Sequence, residues 1–216
     1  MKGLILKDNF QLLKSFIKRK YLLGMLILLS ISMIVLKQDS WIISIFISFI
    51  LINNLQILFT SDINDKWLLF MKVIKKRNIT LVISRFLTSM IVILESTIIN
   101  YIYIQTTSII FKTFDLRTVL IITSISTIIE FLYCSILIPF LYAFSQNGIT
   151  MVMISIVSIL FIISKFVNVK NKLSSFIVHT SHGNLILLII ITILISLLIS
   201  VIISNLILNI KMRRGI

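Results

Sequence analysis

The sequence predicts an all-α polytopic membrane protein: a single transmembrane domain, residues 1–216, of six transmembrane helices led by an N-terminal amphipathic helix. Three observations carry this. Hydrophobic residues make up 58% of the 216 and charged residues only 13%, with a mean hydropathy of +1.12; a soluble fold of this size has too little interior to hide that apolar surface. The apolar residues come in runs close to the roughly 20 needed to cross hydrocarbon. Each run is apolar all round, whereas a barrel strand alternates lipid-facing with lumen-facing residues. The spans are therefore helices.

Residues 1–20 place Leu6, Phe10, Leu13 and Ile17 at helical spacing on one face, with Lys7, Lys14 and Lys18 on others. That pattern suits a helix lying in the membrane interface. Its basic-then-apolar order is shared with signal peptides, but no small-residue cleavage site follows, so it reads as the lead of a retained first span. Spans follow at about 21–36 and 41–60, joined by the tight turn Lys37, Gln38, Asp39, Ser40; Trp41 stands where an interfacial anchor belongs. Asn53 and Asn54 lie inside the second span, where amides need partners on other helices or on a passing substrate.

Residues 61–80 are the longest charged break. Asp62, Asp65, Lys66, Lys72, Lys75, Lys76 and Arg77 alternate there with Trp67, Leu68, Phe70, Met71 and Ile74. A short helix along the membrane surface fits this alternation. The third span runs over about 81–109, with Arg85 close enough to its start to reach the interface and Glu95 near its middle. The fourth, about 119–141, carries Glu130 at mid-depth and Pro139 near its end, where a proline bends or ends a helix. A short turn with Gln146, Asn147 and Gly148 leads into a fifth span at about 149–165. A polar stretch with His179 and His182 precedes the sixth, about 184–208.

Charge orients this layout. Fifteen of the 21 Lys and Arg fall in the N-terminal lead, the 61–85 region and the tail, and six in the opposite loops. Basic loops stay on the cytoplasmic side, which puts both termini and the 61–80 loop there. The net charge of +14 thus reads as topology and contact with anionic lipid, not nucleic acid.

Chemistry-bearing motifs are scarce. The five glycines form no phosphate loop, so ATP has no site on this chain. His179 and His182 have no carboxylate near them in sequence, a poor metal set, and no Ser, His and Asp arrangement points to catalysis. Cys134 is alone and forms no intrachain disulfide. Glu95 and Glu130 are the sharpest single residues, because a carboxylate inside hydrocarbon is costly and marks either a translocation path or an interhelical bond. Successive antiparallel spans would set the two at similar depths.

Several stretches resemble a known family. Trp67, then Lys75-Lys76-Arg77, then Val82-Ile83-Ser84-Arg85-Phe86-Leu87 look like the coupling region and third-span opening of the small bacterial ABC exporter permeases of type 2. The Met1-Lys2-Gly3-Leu4 start, the Leu6-Lys7-Asp8 triplet and the short turn after Pro139 are also similar, so the resemblance covers essentially the whole chain. One departure stands out: the family's usual proline eight residues after the Trp is Lys75 here.

The resemblance implies the type-2 exporter transmembrane fold, with residues 1–20 as its elbow helix. It implies a permease in the bacterial cytoplasmic membrane that pairs with a second permease, identical or sister, and with two cytoplasmic ATP-binding subunits that hold ATP and Mg. Asp62, Asp65, Lys66, Trp67, Phe70, Met71, Lys75, Lys76, Arg77 and Arg85 would couple to the ATPase, with Gln146, Asn147 and Gly148 as a second, smaller contact. Asn53, Asn54, Glu95 and Glu130 would line the path or join helices. High Ile and Lys content also looks like Firmicute members that export amphipathic peptides, such as the staphylococcal phenol-soluble modulin exporters. Two other readings remain open from the residues: an ATP-independent proton-coupled transporter using the two glutamates, and a non-transporting membrane immunity protein.

Overall fold

A computed structural model describes residues 2–18, 21–67, 70–71, 77–165 and 182–214. The described residues are helical almost throughout: α1 (Lys2–Lys18), α2 (Tyr21–Leu36), α3 (Trp41–Asn53), α4 (Gln56–Asn64), α5 (Asn78–Phe111), α6 (Leu116–Phe144), α7 (Gly148–Lys165) and α8 (His182–Arg214). Short 3₁₀ turns at Lys37–Ser40 and Ser145–Asn147 join α2 to α3 and α6 to α7. Trp67, Phe70 and Met71 are helical as well.

The expectation of six membrane-spanning helices is corrected. Among the described residues four segments are long and apolar enough to cross a membrane: Trp41–Asn64, Asn78–Phe111, Leu116–Ile159 and Leu187–Arg213. The architecture is an all-α polytopic fold with those four. The first apolar run, α2, has only 16 residues, about 24 Å against roughly 30 Å of hydrocarbon. The run expected as a fifth span, α7, falls up to Ile159 with α6 and the turn between them inside the one 44-residue segment Leu116–Ile159. Counting apolar runs between charged breaks overlooks the length limit met by α2, since a break in charge is not the same as a helix of sufficient length.

α5 and α6 are the centre. α3 packs on α5, α8 packs on α6 and α5, and α7 packs back on α6. Ile52, Leu58, Val82, Ile93, Leu137, Ile138, Leu141, Val152 and Leu208 form the buried apolar core shared by these helices. α1 lies across α5 and α4. Its predicted apolar stripe points away from the bundle, with Leu6, Phe10 and Leu13 exposed, while Asp8 and Leu12 are buried. An outward apolar stripe on a basic helix is what an interfacial helix offers to lipid.

Two local features depart from simple helix rules. α3 gives way to α4 through a turn at Asn54 and Leu55, where Leu55 N–H bonds Ile52 O and Leu58 N–H bonds Leu55 O at three-residue spacing. α6 continues through Pro139 to Phe144 instead of stopping there. Proline lacks the N–H that would serve the carbonyl four residues back, at Ser135. The Ser200 hydroxyl of α8 donates to that Ser135 carbonyl, so a neighbouring helix supplies the bond the proline removes.

Candidate functional site

One end of the bundle gathers α1, α4, the start of α5 and the end of α6 around four charges. Arg85, eight residues into α5, is the hub. Its Nη2 donates to Asp62 Oδ2 of α4, and its Nη1 lies 2.9 Å from Asp8 Oδ1 of α1. The second contact is an ion pair without hydrogen-bond geometry, since among the described residues Nη1 makes no hydrogen bond. Lys7 Nζ sits 2.6 Å from Asp62 Oδ1, and the Thr88 hydroxyl donates to Asp8 Oδ2 at 3.3 Å. Two cations thus offset two carboxylates. Arg85 and Asp8 side chains are only 7% and 3% exposed, whereas Lys7 is 25% exposed. Burial pushes the Asp8 carboxyl above its ordinary value of 3.8, and the Arg85 charge pulls the other way.

The cluster reaches the helical residues after α4. Lys66 takes a left-handed conformation, φ 51°, and its N–H bonds Ile63 O at 3.1 Å. This ends α4 and turns the chain so that Trp67 lies beneath Lys7, whose Nζ is 3.8 Å from the ring centroid. Trp67 in turn stacks on Phe70 at 5.2 Å. Phe59 and Tyr142 meet edge to face at 4.8 Å, and Arg85 also lies over Phe59. The Gln56 side chain donates to the Gln146 carbonyl. The α4 region and the α6–α7 turn, predicted as two separate contacts, are therefore hydrogen-bonded to each other.

The predicted coupling residues divide by exposure. Asp65, Lys66, Phe70, Arg77, Gln146 and Asn147 are exposed; Asp62, Met71, Arg85 and Gly148 are buried. Lys75 and Lys76 lie outside the described residues, as does His179. Gly148 is packed so closely that an added Cβ would stand 2.7 Å from Leu141 Cδ2 and 3.0 Å from its Cα. Sequence reasoning did not select Lys7, Asp8 or Tyr142 as site residues. The signal for Asp8 was available: it is one of only seven acidic residues and the one acid in α1.

Deeper in the bundle, Glu130 of α6 is buried and faces Asn100 of α5. The Asn100 amide donates to Glu130 Oε1 at 3.0 Å, to Ser126 Oγ at 3.1 Å and to Ser48 Oγ of α3. Ser126 also donates to Glu130 Oε1 at 3.2 Å. Among the described residues Glu130 Oε2 and the buried Ser96 hydroxyl have no partner at hydrogen-bond geometry. This joins three helices at mid-bundle. Glu95 does not take part: it is exposed, on a different face of α5, so the two glutamates do not meet.

Asn53 and Asn54 sit at the α3–α4 break. Asn53 Oδ1 accepts from Tyr133 of α6 at 2.5 Å, and Asn54 Nδ2 donates back to Ile50 O of α3 at 3.1 Å. Both also line an open groove of about 430 Å³ with Ile50, Gln56, Ile57, Thr60 and Ile149. The lining is neutral: amides, one hydroxyl and aliphatic side chains. Among the described residues no cluster of His, Cys, Asp or Glu could hold a metal ion.

A family model described as "ABC-2 family transporter protein" matches residues 3–209. No curated protein and no solved structure gives a match. The matched span contains every residue of the charged cluster, the mid-bundle polar cluster and the groove.

Proposed function

Because the chain belongs to the ABC-2 family of membrane transporter proteins, and is thus a multi-pass permease-type protein, we propose that it is the permease subunit of an ATP-driven exporter. ATP and Mg bind two copies of a separate cytoplasmic subunit, and a second permease, identical or sister, completes the path. The protein works in the bacterial cytoplasmic membrane with both termini and the α4–α5 region inside.

The observation that carries this reading is the buried charge cluster at one end of the bundle. It ties α1, α4 and α5 together beside Trp67 and Phe70. A partner pressing on exposed Asp65, Lys66, Phe70, Arg77 and the adjoining Lys75 and Lys76 would push on Asp62 and Trp67. Ion pairs then pass that displacement to α5 through Arg85 and to α1 through Lys7 and Asp8. The Gln56–Gln146 bond carries it to the α6–α7 turn, so one docking event moves three helices. The groove at Asn53 and Asn54 is the section of the path this chain contributes. Its amides and aliphatic walls accept an uncharged backbone and apolar side chains together, which favours an amphipathic peptide as cargo.

The test is a gentle-detergent purification of the tagged protein from its native membrane, read by intact-complex mass. Two permeases with two ATP-binding chains are expected. Reversal of Lys75, Lys76 and Arg77 to Glu should release the ATP-binding chains and leave the permease folded. A complex that never contains an ATP-binding chain, under any mild condition, overturns the reading.

A further inference from the structure

Glu95 stands outside both polar clusters. It is ten residues beyond Arg85 on the unbroken helix α5, about 15 Å along the axis. Arg85 lies in the charged end of the bundle, so Glu95 sits about half-way through a hydrocarbon core of roughly 30 Å. It precedes Asn100 by five residues, about 140° around the helix. Asn100 points at α3 and α6, which leaves Glu95 on an outward face. Its neighbours on that face, Leu94, Ile98 and Ile102, are each more than half exposed. Among the described residues the three ion pairs all involve other carboxylates.

A carboxylate at mid-membrane on an otherwise apolar stripe is expensive unless something positive or strongly hydrogen-bonding covers it. Lipid headgroups are about 15 Å away, half the core thickness and beyond a glutamate side chain's reach. A second copy of this chain offers no suitable cation in the described spans, because Arg85 is held by Asp8 and Asp62, Arg117 stands at the start of α6, and Lys211 and Arg213 stand at the end of α8. Leu94, Ile98 and Ile102, at helical spacing around Glu95, have the pattern that seats another helix. We infer that this face of α5 docks a transmembrane helix of a separate protein, one that carries a lysine or arginine at mid-membrane depth with Glu95 as its counter-ion. This surface does not depend on the exporter reading.

The experiment places a photo-reactive benzoylphenylalanine at Ile98 of the full chain in its native membrane, with Leu198 on α8 as a control position. Irradiation should join Ile98, and not Leu198, to one other membrane protein, and peptide mapping should find a Lys or Arg in the captured span. The adduct should be lost in both Glu95→Gln and Glu95→Lys. It should return when Glu95→Lys is combined with a Glu at the partner's basic position. An adduct that persists in the Glu95 variants overturns the inference. So does capture of lipid alone, of a second copy of this chain, or of a span without a basic residue.

Discussion

Replacing Arg85 with Met should destabilise the protein more than any other single change at the charged end. Its guanidinium is 7% exposed and holds Asp8, 3% exposed, and Asp62, 10% exposed. Without it, among the described residues Asp8 keeps the 3.3 Å bond from Thr88, and Asp62 keeps Lys7, which is itself partly exposed. Removing one member of a buried ion pair typically costs about 3–5 kcal/mol, because the charge left behind has lost both its water and its partner. Neutralising Asp8, Asp62 and Arg85 at once, with Asp8→Asn, Asp62→Asn and Arg85→Met, leaves only the partly exposed Lys7 charge and should recover most of that loss. Lys7→Gln should cost about 1 kcal/mol or less, since solvent already screens that pair. The assay is reversible unfolding in mixed micelles with rising dodecyl sulfate, followed by Trp67 fluorescence, for which the Lys7 ammonium above the ring is a local reporter. The reasoning fails if Arg85→Met costs under about 1 kcal/mol, or if the triple variant is worse than Arg85→Met alone.

The remaining predictions concern single devices in the fold. Ser200→Ala should cost about 1–3 kcal/mol by leaving the Ser135 carbonyl unbonded, and much less in a Pro139→Ala background, where the substituted residue restores the helical N–H; equal costs in both backgrounds would show that Ser200 does not serve the proline break. Gly148→Ala should cost about 1–3 kcal/mol because its Cβ meets the Leu141 backbone at 3.0 Å, while Gly3→Ala, with nothing within 4 Å, should be close to neutral in the same unfolding assay. Asp8 carries a pH signature. Its folded carboxyl titrates above 3.8, so between 3.8 and that raised value the folded state keeps a proton the unfolded state releases. Its contribution is full below 3.8 and is lost as pH rises through the folded value. Wild type compared with Asp8→Asn should therefore lose relative stability as pH rises across that window, and a difference that does not change with pH would remove the assignment.

Much of the site was legible in the residues, though not as a site. Trp67, Arg85 and the Leu6-Lys7-Asp8 triplet drew notice through the resemblance, yet in the chain Asp8 and Arg85 are 77 positions apart. Their pairing depends on α1 lying across α5, which no local pattern encodes. The mid-bundle carboxyl at Glu130 was recognisable because a charge inside an apolar run is rare. Asn100, which gathers Ser126 and Ser48 around it, was not, because an amide is an ordinary residue in such helices. Glu95 and Glu130 looked equivalent in sequence. One residue's rotation, about 100° on a helix, turns Ser96 inward and Glu95 outward, and depth alone cannot distinguish them.

By itself the sequence determined that the protein is helical and membrane-embedded, where its charges concentrate, and that α1 is amphipathic. These follow from composition and from the 3.6-residue helical period, both local properties. The tertiary structure decided how many helices are long enough to span, that Asp8, Asp62 and Arg85 share one buried cluster, and that Ser200 supplies the bond that Pro139 removes from α6. Such outcomes require elements distant in sequence to settle at one depth and angle. Helix packing sets that geometry by maximising contact and pairing most buried polar groups, a condition on the whole bundle that no single segment carries.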